Sequence, residues 1–179
     1  MHVGVAAQTD AGLMVPVIQH ADALSLDKLA AALATRAELA RSGTIARDDL
    51  RGSTITVISL GKLGGIAATP ILNRPEVCII GPNKIVTRPV WQDGRFVPRQ
   101  MMNLSMSCDH RVIDGYDAAA FVQALKRRLK VPGLIFVDPS SSHSPLGAGP
   151  GADLVIVGIG AEPTAAWCCI ISRMAGTSA

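Results

Sequence analysis

The sequence predicts one α/β domain of the α+β kind, a mixed β-sheet with flanking helices. Short runs of β-branched and apolar residues recur between turn residues, as strands do. Two segments carry apolar residues at helical spacing. These strands and helices do not alternate strictly, which argues against a purely parallel sheet. A chain of 179 residues, 49% apolar and 17% charged, is long enough and apolar enough for a real core.

Taken in order, "HVGVAAQTDAGLMVPVI" reads as two short strands around a polar turn at Gln8 to Gly12. "SLDKLAAALATRAELARSG" places Leu26, Leu29, Leu33, Ala37 and Ala40 on one helical face. Ser25 suits its N-cap, Arg41 its last turn and Gly43 its stop. "STITVISL" (53–60) reads as a strand. "EVCIIG", "KIVTRPVW", "RFVPR" and "QMMNLSMSC" read as four more, with "QDG" (92–94) turning a hairpin. "AAAFVQALKRRLK" is an amphipathic helix with Ala118, Phe121, Val122, Leu125 and Leu129 inward. Its Lys126, Arg127, Arg128 and Lys130 read as a solvated face.

The bulk composition narrows the function. A net charge of +3 with only 3% aromatic residues argues against nucleic-acid binding, which needs basic density and stacking surfaces. No apolar run reaches membrane-spanning length: 154–171 is broken by Glu162 and Pro163. Cys78, Cys108, Cys168 and Cys169 match no zinc spacing, and no metal site is expected. With no signal peptide in view, they read as reduced thiols in a cytoplasmic protein. The glycine-rich turn "GKLGGIAATP" lacks the order of a phosphate loop.

Chemistry concentrates in "SMSCDHRVIDGYD" (105–117). Here His110 stands where a strand ends and a helix soon begins, a junction that can project a side chain into a cleft from a fixed backbone. His2 and His20 lack a partner pattern, and His143 falls in linker-like sequence.

"DHRVIDG", preceded by "MMNLSMSC", resembles the signature of the dihydrolipoamide acyltransferase (E2) catalytic domain of 2-oxo acid dehydrogenase complexes. "HVGVAAQTDAGLMVPVI", "GSTITVISLGKLGG" and "TPILNRPEVCIIGPNKIVTRPVW" follow that family in order and spacing, closest to bacterial branched-chain members. The resemblance implies a chloramphenicol acetyltransferase-like fold, in homotrimers that build a cubic or dodecahedral core. It implies an active site between two subunits, with coenzyme A entering from one side and a lipoyl arm from the other. The E1 and E3 components would be met through domains other than this one, as would the lipoyl group. The reaction is acyl transfer between the dihydrolipoamide and coenzyme A thiols. His110 is then the general base that deprotonates the thiol, worth about 10²–10⁴-fold. Asp114 would hold the loop through an arginine or a backbone contact, or cap the helix, and Gly115 would allow a tight turn into that helix.

The chain departs from the family in three places. The oxyanion position, usually Ser or Thr, is Ile58, which has no donor; such a loss costs about 10²–10³ in turnover. Ser59 could substitute only if the strand end twists, since neighbouring strand residues face opposite ways. The coenzyme A positions correspond to Gln8, Ser59, Lys62, Asn83 and Ile85. Secondly, the resemblance covers roughly the last two-thirds of a family catalytic domain. Thirdly, 1–138 is expected to be that partial domain, 139–152 linker-like, and 153–179 an atypical apolar tail. Within the tail, Glu162 and Pro163 spoil a dinucleotide-type turn, so no cofactor site is expected there.

The alternative is an E2-like fragment, catalytically impaired, with an assembly or partner-binding role, which Ile58 and the partial domain favour. A condensation-type acyltransferase ranks lower, because that family places a second histidine where Asp109 stands.

Overall fold

A computed structural model describes residues 1–136, the side chain of Lys62 excepted. The expected linker 139–152 and tail 153–179 lie outside the described residues. Among the described residues nine strands form: β1 Val3–Val5, β2 Ala7–Thr9, β3 Gly12–Met14, β4 Val17–Ile18, β5 Ile55–Val57, β6 Cys78–Pro82, β7 Val86–Gln92, β8 Arg95–Met101 and β9 Leu104–Cys108. Two α-helices join them, α1 Leu26–Arg41 and α2 Gly115–Lys130.

The central sheet has the order β4-β1-β5-β6-β9. Pairs β1/β5 and β5/β6 run parallel, while the outer pairs β1/β4 and β6/β9 run antiparallel. The mixed sheet is as expected. The opening segment is not, since two expected strands are four. The Ala6 amide still bonds the Val57 carbonyl at 2.9 Å. Beyond it the chain leaves the sheet, makes the β2–β3 hairpin, and returns as β4. Gly12 (φ 115°) and the Thr9 hydroxyl, donating to the Gly12 carbonyl at 2.7 Å, shape that hairpin.

Both helices cover one face of the sheet. Val3, Val5, Ile55, Val57, Cys78 and Ile80 on that face meet Leu29 and Leu33 of α1 and Leu125 of α2 in one core. Leu29, Leu125 and Val57 are fully buried, each stabilising the fold by about 1.5–3 kcal/mol. The Ser25 hydroxyl accepts from the Lys28 amide at 3.4 Å, and Gly43 follows α1 with φ 70°. Both ends are thus where the sequence places them.

The opposite face carries Gly4, Thr56, Ile79 and Ser107 in one row. Gly4 is needed there, because a Cβ would come within 2.8 Å of Thr56 Oγ1 and Val15 Cγ1. Strands β7 and β8 form a separate two-stranded ribbon, turned at Asp93 (φ 51°) and Gly94 (φ 77°) as "QDG" predicts. Pro89 stands opposite Pro98 in that ribbon, where their missing donors face outward and discourage further strand pairing.

Candidate active site

The turn carrying His110 is fixed at both ends. At its start the Asp109 amide donates to the Val77 carbonyl at 2.9 Å, extending the β6–β9 ladder by one step. The Asp109 carbonyl accepts from the amides of Val112 and Ile113, both at 3.0 Å. The Asp109 carboxylate takes the Arg111 amide at 3.1 Å and Arg111 Nη2 at 2.5 Å. It also takes Arg111 Nε at 2.8 and 3.1 Å. These hydrogen bonds hold the Asp109 carboxyl well below the usual carboxylate range and raise the Arg111 guanidinium. At the turn's end Asp114 Oδ1 accepts from the Asp117 amide at 2.8 Å and caps α2. His110 lies between the two anchors, exposed to solvent. Holding a side chain by its neighbours' backbone in this way limits the entropy lost when a substrate meets it.

Asp114 therefore holds the loop by a backbone contact, and the arginine in the turn pairs with Asp109 instead. Gly115 does not make the expected tight turn. It is the first residue of α2, it is absent from the glycines with positive φ, and the cap on its N-terminal side does the turning.

A second anchor lies beneath the turn. Glu76 is 6% exposed, and its Oε1 accepts from Ser53, from Thr56 Oγ1 at 2.8 Å and from Asn73 Nδ2 at 2.9 Å. It fixes the backbone next to Val77, whose carbonyl receives Asp109. Sequence reasoning missed both Glu76 and the Asp109–Arg111 clamp. The clamp's only signal is Asp and Arg flanking His110; Glu76 stands as a lone acid before an apolar run.

The remaining predicted residues stand at the other end of the sheet. The Ile58 amide bonds the Ile80 carbonyl at 2.9 Å just past β5, which levels Ile58 with Gly81 and, across the sheet, with Ser105. Cys108, the last residue of β9, is three positions further along than Ser105, about 10 Å at the rise of a strand, and His110 lies beyond it in the turn. Gln8, Ser59, Lys62, Asn83 and Ile85 all follow the C-terminal ends of β1, β5 and β6. Lys62 lies in the 3-10 turn Gly61–Leu63, and Ile85 is 40% exposed. The Ser59 hydroxyl accepts from the Gly61 amide at 3.2 Å. Asn83 is 9% exposed, and its side-chain amide donates to the Asn103 carbonyl at 3.0 Å, Ser105 Oγ at 2.9 Å and the Gly81 carbonyl at 3.3 Å. That amide is committed within the chain. One chain thus presents His110 at one end of the strands and the Ile58 position at the opposite end. Proton abstraction needs contact at about 2.6–3.2 Å, so the two cannot act on one carbonyl within a single copy.

Comparison with known proteins gives this architecture its class. A solved Azotobacter vinelandii dihydrolipoamide acetyltransferase, studied for the roles of a serine, a histidine and an asparagine in its mechanism, matches with a TM-score of 0.73 at 47% identity. The match covers 76% of this chain and 56% of that one. The cubic core of a pyruvate dehydrogenase multienzyme complex matches with the same TM-score at 46% identity, over the same shares. The fold is that of an acyltransferase catalytic core.

The chain belongs to the 2-oxoacid dehydrogenases acyltransferase (catalytic domain) family, whose sequence model matches residues 1–137. It is 54% identical over 138 residues to the Pseudomonas aeruginosa lipoamide acyltransferase component of the branched-chain alpha-keto acid dehydrogenase complex, covering 77% of this chain and 32% of that protein. Identity to the Azotobacter vinelandii dihydrolipoyllysine-residue acetyltransferase component of the pyruvate dehydrogenase complex is 49% over 125 residues. The chain spans about a third of the first relative's length. No helix among the described residues is long and apolar enough to cross a membrane.

Proposed function

We propose that this chain is a cytoplasmic acyltransferase domain that moves an acyl group between dihydrolipoamide and coenzyme A within a 2-oxo acid dehydrogenase complex. The observation that carries the reading is the anchored turn, which offers an exposed histidine on a backbone hydrogen-bonded at both ends. In the Azotobacter vinelandii enzyme a serine, a histidine and an asparagine were studied for their roles in the mechanism. Counted at the same intervals from His110 without a gap, the serine's place falls on Ile58 and the asparagine's on Asp114.

A free thiol, with a pKa near ~8.5, is mostly protonated at neutral pH, and its thiolate is the nucleophile. His110 takes the proton as sulfur attacks the thioester carbonyl. The resulting oxyanion collapses, expels the other thiolate, and His110 returns the proton. Coenzyme A and the lipoyl arm are substrates, and no metal enters the scheme.

The placement of His110 and Ile58 at opposite ends of the strands supports an active site shared between two copies, as in a trimer that builds a larger core. His110 of one copy would then face the end of the sheet that carries Gln8, Ser59, Lys62 and Ile85 in the next. Ile58 offers no hydrogen to the oxyanion and supports low turnover.

Thioester formation from dihydrolipoamide and an acyl-coenzyme A tests the reading. Weak activity is expected in the parent. Ile58→Ser should raise it by about 10²–10³-fold, and His110→Ala should lower it by about 10²–10⁴-fold. Silence in all three would refute the catalytic reading and leave an assembly role.

A further inference from the structure

Cys78, the first residue of β6, stands directly opposite Cys108, the last of β9. The Asp109 amide bonds the Val77 carbonyl, so Val77 and Asp109 are a hydrogen-bonded pair of this antiparallel ladder. Alternation makes Cys78 and Cys108 the next pair, of the non-hydrogen-bonded kind, in which facing Cα atoms approach to about 4.5 Å. Disulfides bridge Cα separations of about 4.4–6.8 Å, so no strand need move for the two sulfurs to join. Both cysteines are free in the structure, Cys78 buried and Cys108 half-buried. The acyltransferase reading uses neither thiol, and their pairing does not depend on it.

We propose that Cys78 and Cys108 are a site of reversible oxidative modification that closes a cross-strand disulfide when the chain meets a peroxide. Cys108 is the sulfur the oxidant reaches. Its thiolate attacks one oxygen of the peroxide, the O–O bond breaks, hydroxide leaves, and Cys108 becomes a sulfenic acid. The Cys78 sulfur then attacks the Cys108 sulfur, the S–O bond breaks, and water departs with the Cys78 proton. Two thiols are oxidised and the peroxide is reduced to water. Burial, with Cys108 and Glu76 adding to it, pushes the Cys78 thiol up to about 11. That makes Cys108, and not Cys78, the sulfur of the first attack. A dithiol returns both thiols by exchange and leaves as its own cyclic disulfide. The bridge closes two residues before His110, next to the turn the site depends on.

The test is to treat the full chain with hydrogen peroxide, alkylate the remaining thiols in denaturant, and map tryptic peptides by mass. The expected product is a peptide linking Cys78 to Cys108, two hydrogens lighter than its two thiol peptides together. It should vanish with dithiothreitol and be absent from Cys108→Ser. Both cysteines recovered fully alkylated would overturn the proposal. So would Cys108 carried on to sulfinic acid beside a free Cys78, or a bridge running to Cys168 or Cys169 instead.

Discussion

Replacing Glu76 by alanine is expected to destabilise the chain by about 3–5 kcal/mol, and replacing it by glutamine by less than about 1 kcal/mol. The difference follows from which groups each substitution strands. Glu76 Oε1 is the shared acceptor of the Ser53 and Thr56 hydroxyls and the Asn73 amide. Thr56 is 1% exposed, so alanine at position 76 leaves its hydroxyl unpaired and away from water, at about 1–3 kcal/mol. Ser53 and Asn73 are half-buried and can turn to water, so each loses only the net value of its bond, about 1 kcal/mol. Glutamine keeps a carbonyl oxygen for the same three donors. It also removes a buried charge whose second oxygen, Oε2, has no partner among the described residues, and that relief offsets the new amide's unpaired hydrogens. Urea unfolding of the parent and both variants measures this, read as midpoints at constant slope. Equal destabilisation by the two substitutions would refute the reasoning, because it would make the charge, and not the shared acceptor, responsible for the anchor. An alanine cost under about 1 kcal/mol would show that the network does not hold the segment at all.

Two further outcomes follow from local geometry. Asp114→Ala removes the α2 cap and should cost about 1 kcal/mol in urea unfolding, while Asp114→Asn, an equally good cap, should cost only a few tenths. The Cys78 thiol is raised from its ordinary value near 9 to about 11, so its contribution to stability is fully present below pH 9 and is lost as pH climbs through 11. Between those limits the parent should lose about 2–3 kcal/mol more than Cys78→Ala does; parallel unfolding midpoints across pH 9–11 would exclude it.

Much of this molecule is readable locally. Both helices, the Ser25 cap, the Gly43 stop and the Asp93–Gly94 hairpin turn depend on residues within a few positions of one another. His110 also stands out locally, because a histidine between a strand and a capped helix is a pattern of adjacent residues, and the family resemblance rests on the same stretch. The count of strands between residues 3 and 18 was less legible. Whether an extended run stays in the sheet or leaves it as a hairpin depends on the partner strand β5, some forty residues on. Gly115 misled for a related reason: glycine permits a turn, but an aspartate cap before it made one unnecessary.

The sequence by itself determined the class of fold, both helices with their caps, the family, and the histidine most suited to act as a base. It did so because each is written in short-range pattern. Only the tertiary structure decided that Glu76 supports the His110 turn, that Cys78 faces Cys108, and that His110 and Ile58 lie at opposite ends of the strands of one sheet. Those three facts are matters of strand order and register, in which hydrogen bonds between distant segments decide which side chains meet and which are held apart.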